Sequence, residues 1–328
     1  MWEDMLEEFQ KDLQTAAAPK RVPQPGRGEA DPMDEELRKE EPLKADSGQV
    51  SAAGREFTGS SRQYWKHTEE EGKLCRELLL RIRSRHPLVH CISNIVTAND
   101  CANLVLAVGG SPMMAQEAEE MEEIDALASA LVLNTGTPDQ AKFAACLRAG
   151  LTANRRGIPV ILDPVGAGAG KWRYGKLKEL LAQVHPDIIR VNAGEARALI
   201  GMKASEHGVD SLEEEEDAEQ IAGELAVLCR CTVLLTGTED LVTDGKRSRR
   251  IGGGSVRMKQ ITGAGCMLTA LTGAFAAVEE DSFTAACEAA AFWKSCAESA
   301  ERHNRGLGHF HMGLFDAASE ASDRAVEI

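Results

Sequence analysis

The chain has 328 residues, of which 43% are hydrophobic and only 4% aromatic, and it carries a formal net charge of −15. That length allows two average domains or one large α/β domain with an extension, and an aliphatic, Ala- and Gly-rich interior suits helices layered on a sheet. The acidic balance excludes nucleic acid and anionic membrane as partners, and no apolar run reaches the ~18–20 residues of a membrane span.

Residues 1–70 read as an acidic, Pro-containing, largely disordered extension. They hold Pro19, Pro23, Pro25, Pro32 and Pro42 and are too polar to bury the surface that would offset ordering entropy. Trp2, Met5, Leu6, Phe9 and Leu13 have helical spacing, so residues 2–14 read either as a short amphipathic helix that docks on the body or a partner, or, the favoured reading, as a disordered tail with a transient helix. The start, Met1-Trp2-Glu3-Asp4, has neither the basic apolar character of a secretory signal nor the Arg-rich character of a transit peptide.

From about residue 73 the pattern becomes regular. Leu74–Arg83 predicts a helix stopped by Pro87, and Leu88–Ile92 a short strand. Asp100–Val108 predicts a helix ended by Gly109-Gly110. Ala130–Leu133 predicts a strand leading into Asn134-Thr135-Gly136-Thr137, then Asp139–Arg155 a helix with Gly157 past its end. Pro159–Leu162 is a strand ending at Asp163-Pro164, and Asp187–Arg190 a strand ending at Asn192, with a helix over Glu195–Ile200. The acidic run Glu213–Asp217 reads as a solvated helix start. Thr232–Leu235 is a strand ending at Thr236-Gly237. Leu241–Thr243 and Arg250–Ile251 predict a hairpin around Asp244-Gly245, and helices follow at 266–279 and 283–302.

Short apolar strands alternating with helices imply a mainly parallel sheet covered on both faces, with ligands gathered at the C-terminal strand ends. Those ends carry Asn94, Thr135, Asp163, Arg190, Asn192 and Thr236. Nine cysteines without zinc spacing fit a reducing cytoplasm and a role as small core residues.

The strongest chemical signal is Thr262-Gly263-Ala264-Gly265-Cys266, a glycine turn that opens an apolar helix. Such a turn presents unpaired N–H groups at the positive end of a helix dipole, a ready cradle for a phosphate, or else an ordinary cap. Asn192-Ala193-Gly194-Glu195 reads either as a capping box or as a carboxylate poised for a hydrated Mg2+. Arg190 before it suits a nucleotide phosphate or a surface ion pair. Asp163, followed by the Gly-rich loop to Gly170, either shares that metal or forms a turn beside Pro164. Thr236-Gly237-Thr238-Glu239-Asp240 offers hydroxyls and N–H groups to ATP, or makes a plain turn. The segment His90–Thr97 with Ser111–Met114 sets polar atoms beside apolar ones, as a small heterocycle requires, with Met114 a flexible wall or a core residue.

Taken together, Pro87–Asn94, Ser111–Met114, Asp163–Gly166, Arg190-x-Asn192-Ala193-x-Glu195, Thr236-Gly237-x-x-Asp240 and Thr262–Cys266 resemble the hydroxyethylthiazole kinase family in order and spacing, over residues 75–317. The resemblance implies a ribokinase-like three-layer α/β/α fold with a mainly parallel central sheet over 75–320. It implies ATP-dependent phosphorylation of the hydroxyl of 4-methyl-5-(2-hydroxyethyl)thiazole, a salvage step toward thiamine. It also implies residue roles. Met114, Gly263 and Asn94 would meet the thiazole, and Arg190, Thr236 and Asn192 would meet ATP. Asp163 and Glu195 would hold Mg2+, and Cys266 with Gly263 and Gly265 would line the reacting hydroxyl. A homotrimer with the site at the subunit interface follows from the same resemblance. Gly306-Leu307-Gly308-His309-Phe310 departs from the family's C-terminal Gly-Pro-Gly pattern. Cys266 stands where the wider superfamily usually has Asp, which points away from a kinase of another small vitamin-precursor alcohol. The presence of every metal and phosphate residue that the resemblance implies argues for turnover rather than a silent thiazole-binding homologue. A thiol-dependent hydrolase lacks a motif that brings a histidine to Cys266.

Overall fold

The computed structural model describes residues 69–201, 211–303 and 306–326; the helix expected over 2–14 lies outside them. The chain enters through α1 (Glu69–Arg85) and then runs β1 (Leu88–Ile92), α2 (Ala98–Ala107) and β2 (Ser111–Met113). A 3-10 turn leads to α3 (Met121–Leu127), β3 (Ala130–Asn134), α4 (Gln140–Arg156), β4 (Val160–Asp163), α5 (Lys171–Leu181), β5 (Ile188–Asn192) and α6 (Ala193–Ile200). The remainder is α7 (Ser211–Cys229), β6 (Thr232–Thr236), β7 (Asp240–Thr243), β8 (Ser248–Ile251), α8 (Ala264–Ala276), α9 (Ser282–His303) and α10 (Leu307–Val326).

Eight strands form one sheet in the order β2-β1-β3-β4-β5-β6-β7-β8. Pairing is parallel from β2 through β6, while β7 and β8 add an antiparallel edge. Side chains alternate between two apolar layers. Ala130 and Val132 of β3 face one core, Leu131 and Leu133 the other; in β6, Leu234 opposes Val233 and Leu235. Burial on both faces is why these strands read as continuous apolar runs rather than alternating ones. Helices α1, α2, α8, α9 and α10 cover the first face, and α3 through α7 the second, giving the expected three layers.

The termini of the expected elements hold because their punctuation is physical. Asp139 caps α4 by accepting from the Lys142 N–H at 2.7 Å, and Gly157 closes it in the left-handed conformation. The predicted hairpin forms across β7 and β8. Four elements were not anticipated: β2, α3, α5 and α10. In β2 Pro112 interrupts a three-residue edge strand, and α3 is only seven residues long; both are too short for periodicity to reveal. The Gly175 in α5 and the Gly308 in α10 weaken the local helical signal, which tertiary packing overrides.

Helix α8 governs the site. A Cβ at Gly273 would meet Val132 Cγ2 at 2.6 Å and Val89 Cγ1 at 3.0 Å, so the missing side chain lets this helix lie directly on β1 and β3. Its N-terminus thereby reaches the C-terminal edge of the central strands. At that edge Asn134 is in register with Asp163, and Asn192 with Thr236.

All nine cysteines are free, and burial raises the thiol pKa of eight of them. Cys101, Cys146 and Cys287 are pushed up to about 12, chiefly by desolvation. In the unfolded chain a thiol ionises near pH 8.5, so above that pH the unfolded state gives up protons that the folded state retains. Stability is therefore undiminished below the ordinary thiol range and falls as pH rises toward 12, by about 1.4 kcal/mol per pH unit for each retained proton. Urea unfolding at pH 8 and pH 10 measures this; equal midpoints at both would contradict it.

Candidate active site

Two groups of side chains meet where the N-terminus of α8 overhangs β3, β4 and β5. The first surrounds the Cys266 sulfur. Asn94 Nδ2 donates to Cys266 Sγ at 3.3 Å and to Asn134 Oδ1 at 3.1 Å. Asn94 Oδ1 in turn accepts from the N–H groups of Val96 and Thr97, both at 3.1 Å, which fixes the loop after β1. Thr97 packs on the glycine turn: a Cβ at Gly263 would lie 2.5 Å from Thr97 Cγ2, and Gly263 itself has φ +84°. Both facts require glycine there.

The Cys266 thiol is raised above its ordinary value, first by burial and then by the Asp163 charge, against hydrogen bonds from Thr97, Asn134 and Asn94. It is consequently a thiol, not a thiolate, at neutral pH.

Asp163 joins this group to the second. The carboxyl is fully buried at the end of β4. Its Oδ2 accepts from Asn134 Nδ2 at 2.8 Å and lies 2.9 Å from Thr269 Oγ1. That hydroxyl is also 3.0 Å from the Gly265 carbonyl, so one hydrogen serves two acceptors. Asp163 Oδ1 has no hydrogen-bond partner, and Arg190 Nη1 stands 3.6 Å away. Burial lifts the Asp163 carboxyl above its ordinary range; Arg190 opposes the lift and Glu195 adds to it.

The second group lines a cavity of about 380 Å3 bounded by Arg190, Asn192, Thr236, Gly254, Gly265 and Lys294, among others. Arg190 Nη2 donates to Thr236 Oγ1 at 2.6 Å, which aims the guanidinium along the α8 N-terminus. A Cβ at Gly265 would collide with that guanidinium, so the glycine exists to admit it. The cavity's far wall is tied by Lys294, whose Nζ donates to Thr238 O at 3.1 Å and pairs with Asp240 at 3.2 Å. Helix α8 has no side-chain cap, and its first internal bond runs from Met267 N to Gly263 O at 2.8 Å. The N–H groups before it form an unsatisfied first turn of the kind that can receive an anion.

Glu195 and Asn192 form a full capping box: Glu195 N donates to Asn192 Oδ1, and Asn192 N donates to Glu195 Oε2, both at 2.9 Å. Glu195 Oε1 also accepts from Gly166 N at 2.9 Å, which holds the glycine-rich loop after β4. The two readings of this motif are therefore compatible, because each carboxylate oxygen keeps a further lone pair. Among the described residues no group of three or more His, Cys, Asp or Glu side chains is placed to hold a metal ion alone. The donor set, an unpartnered Asp163 Oδ1 with Glu195 nearby, fits an ion that keeps most of its waters and arrives with phosphates.

Met114 is half-buried against the core that also contacts Cys266. His90 turns away from the site. It is fully buried, with Nδ1 2.6 Å from Asp125 Oδ1 and Nε2 3.0 Å from Ala115 O, and it pins the segment next to Met114. Sequence reasoning assigned no role to Asn134, Thr269 or Lys142. Asn134 had a signal, since it ends a strand as Asp163 does. Thr269 sits one turn beyond Cys266, a spacing that becomes informative once the helix is known to start at the glycine turn.

The profile of the hydroxyethylthiazole kinase family matches residues 79–323. A hydroxyethylthiazole kinase of Clostridium botulinum is 40% identical over 257 residues, covering 76% of this chain and 92% of its own. Among solved structures, the hydroxyethylthiazole kinase protein of Pyrococcus horikoshii aligns with a TM-score of 0.71 at 38% identity, over 78% of this chain and 96% of that one. The pyridoxal kinase of Staphylococcus aureus, in complex with ADP, aligns at 17% identity with a TM-score of 0.50, covering 65% of this chain and 88% of that one. That likeness concerns the fold alone, which is ribokinase-like.

Proposed function

The chain belongs to the hydroxyethylthiazole kinase family, and from that premise we propose that it transfers the γ-phosphoryl group of ATP to the hydroxyl of 4-methyl-5-(2-hydroxyethyl)thiazole. The observation that carries the reading is the convergence of an anion-binding helix start, flanked by Arg190, with a small polar cluster around Cys266. Phosphoryl transfer demands positioning and charge neutralisation rather than covalent work by the protein.

Arg190, Thr236 and Asn192 hold the nucleotide in the 380 Å3 cavity. The N–H groups of Ala264, Gly265 and Cys266 meet charge on the transferring group. Asn94, Met114 and Gly263 seat the thiazole, and the Cys266 sulfur, still protonated, orients the alcohol. Asp163 and Glu195 hold Mg2+, which neutralises phosphate charge when bound. Residues 75–320 constitute the kinase domain.

Ile95 and Val96 follow Asn94 and are 82% and 59% exposed, which supports a homotrimer whose neighbouring copy covers this side of the pocket. Among the described residues no helix is long and apolar enough to cross a membrane, and the free thiols suit a cytoplasmic setting.

ATP consumption dependent on the thiazole alcohol tests the activity. Glu195→Ala is expected to lower kcat by at least about a hundredfold, with thermal melting as the control for its lost cap. Thiazole binding by calorimetry without turnover would instead identify a silent homologue. Cys266→Asp separates orientation from general-base catalysis: turnover within about tenfold of the parent is expected, and a loss of several orders would refute orientation. Light scattering should return three times the 35.4 kDa chain mass; a monomer at working concentration would overturn the shared site.

A further inference from the structure

Lys142 occupies a position that local physics disfavours three times over. The residue is 6% exposed, it sits in the first turn of α4 at the positive end of that helix, and its ammonium donates to two carbonyls and a hydroxyl rather than to a carboxylate. Burial pushes its pKa down, against the Asp139 charge and the Cys146 and Cys266 thiols. A site that breaks local rules so consistently needs a compensating use.

The use is visible in its three N–H donors. Lys142 Nζ donates to Ser93 O at 2.8 Å, to Gly136 O at 2.8 Å and to Thr137 Oγ1 at 3.4 Å. Ser93 immediately precedes Asn94. Gly136 N donates to Asn134 Oδ1 at 2.9 Å, and a Cβ at Gly136 would touch both Asn134 and Asn94. Thr137 Oγ1 accepts from Ile95 N at 3.3 Å, and Thr137 holds φ +43°, a strained conformation for a β-branched residue. One ammonium thus bolts the loop after β1 to the loop after β3, beside Asn94, which donates to Cys266, and Asn134, which accepts from Asn94. None of its bonds reaches Arg190, Thr236 or the nucleotide cavity.

We propose that Lys142 is a positioning residue for the acceptor alcohol: its ammonium locks the 93–97 and 135–138 loops together and so fixes Asn94, braced by Asn134, against the Cys266 sulfur. The inference rests on the thiazole kinase reading above, because the locked side is the side assigned to the alcohol. Lys142→Met keeps the aliphatic stem and removes the three donors. Its kcat/KM for the thiazole alcohol is expected to fall at least about tenfold while the KM for ATP stays within about twofold. Hydrogen exchange of the same variant should accelerate in peptides covering 93–97 and 135–138 and stay unchanged over 232–243. Lys142→Gln, which retains two N–H donors, serves if the Met variant does not fold, with the same split between alcohol and ATP. Unchanged alcohol kinetics, a parallel rise in the KM for ATP, or unchanged exchange in both loops would each overturn the proposal. A parent protein that consumes no ATP with the thiazole defeats the functional reading instead, and the exchange data still decide the lock.

Discussion

The buried carboxylate of Asp163 is the constraint on which the site depends. It is held from three directions: by Asn134 on β3, by Thr269 on α8, and by the Arg190 guanidinium on β5. Those contacts put the alcohol side and the nucleotide side of the cleft into one polar network within an otherwise aliphatic interior. A buried charge is tolerable only when such partners surround it, so the strand ends, the glycine turn and the register between β3 and β4 are interdependent. The absence of a side chain at Gly273 lets α8 approach closely enough for Thr269 to take part.

Several residues serve the fold and the chemistry at once. Glu195 closes the capping box of α6 and holds the loop after β4 through Gly166, while its remaining lone pairs face the region assigned to the ion. Gly265 belongs to the helix start proposed to meet phosphate, and it also makes room for the arginine beside it. Cys266 is a core contact of α8 and the group to which Asn94 donates. This sharing explains why the polar residues cluster at one edge of the sheet: only there do strand termini and helix N-termini leave unsatisfied groups in proximity.

Much of the fold was legible because its punctuation is local. Asp139 and Gly157 bracket α4, and the Asp244-Gly245 pair turns the hairpin. The strands could be read because burial on both faces leaves apolar runs of four or five residues. The polar residues gathered at this edge were legible where they end a strand or open a helix, as Asp163, Asn192, Thr236 and Cys266 do, with Arg190 two residues before the end of β5. What escaped the reading depends on distant partners. The lysine at 142 looks like an exposed helix-start residue until the loops that bury it are in place. His90 belongs to a promising motif, yet strand alternation turns it to the opposite layer, toward Asp125. Short elements such as β2 and α3 form through tertiary packing that no local window contains.

The Asp163 oxygen that accepts no hydrogen bond, Oδ1, has a consequence for how the protein distributes its costs over time. Stripping water from a carboxylate is expensive, and here the stripping is done once, when the chain folds, rather than at each catalytic cycle. The folded protein is correspondingly less stable than the same sheet with an uncharged group at that position. A cation reaching Oδ1 would meet an acceptor that is already dry, so little reorganisation would accompany its arrival. The cost of preparing such a site would then lie in the resting fold rather than in the binding event.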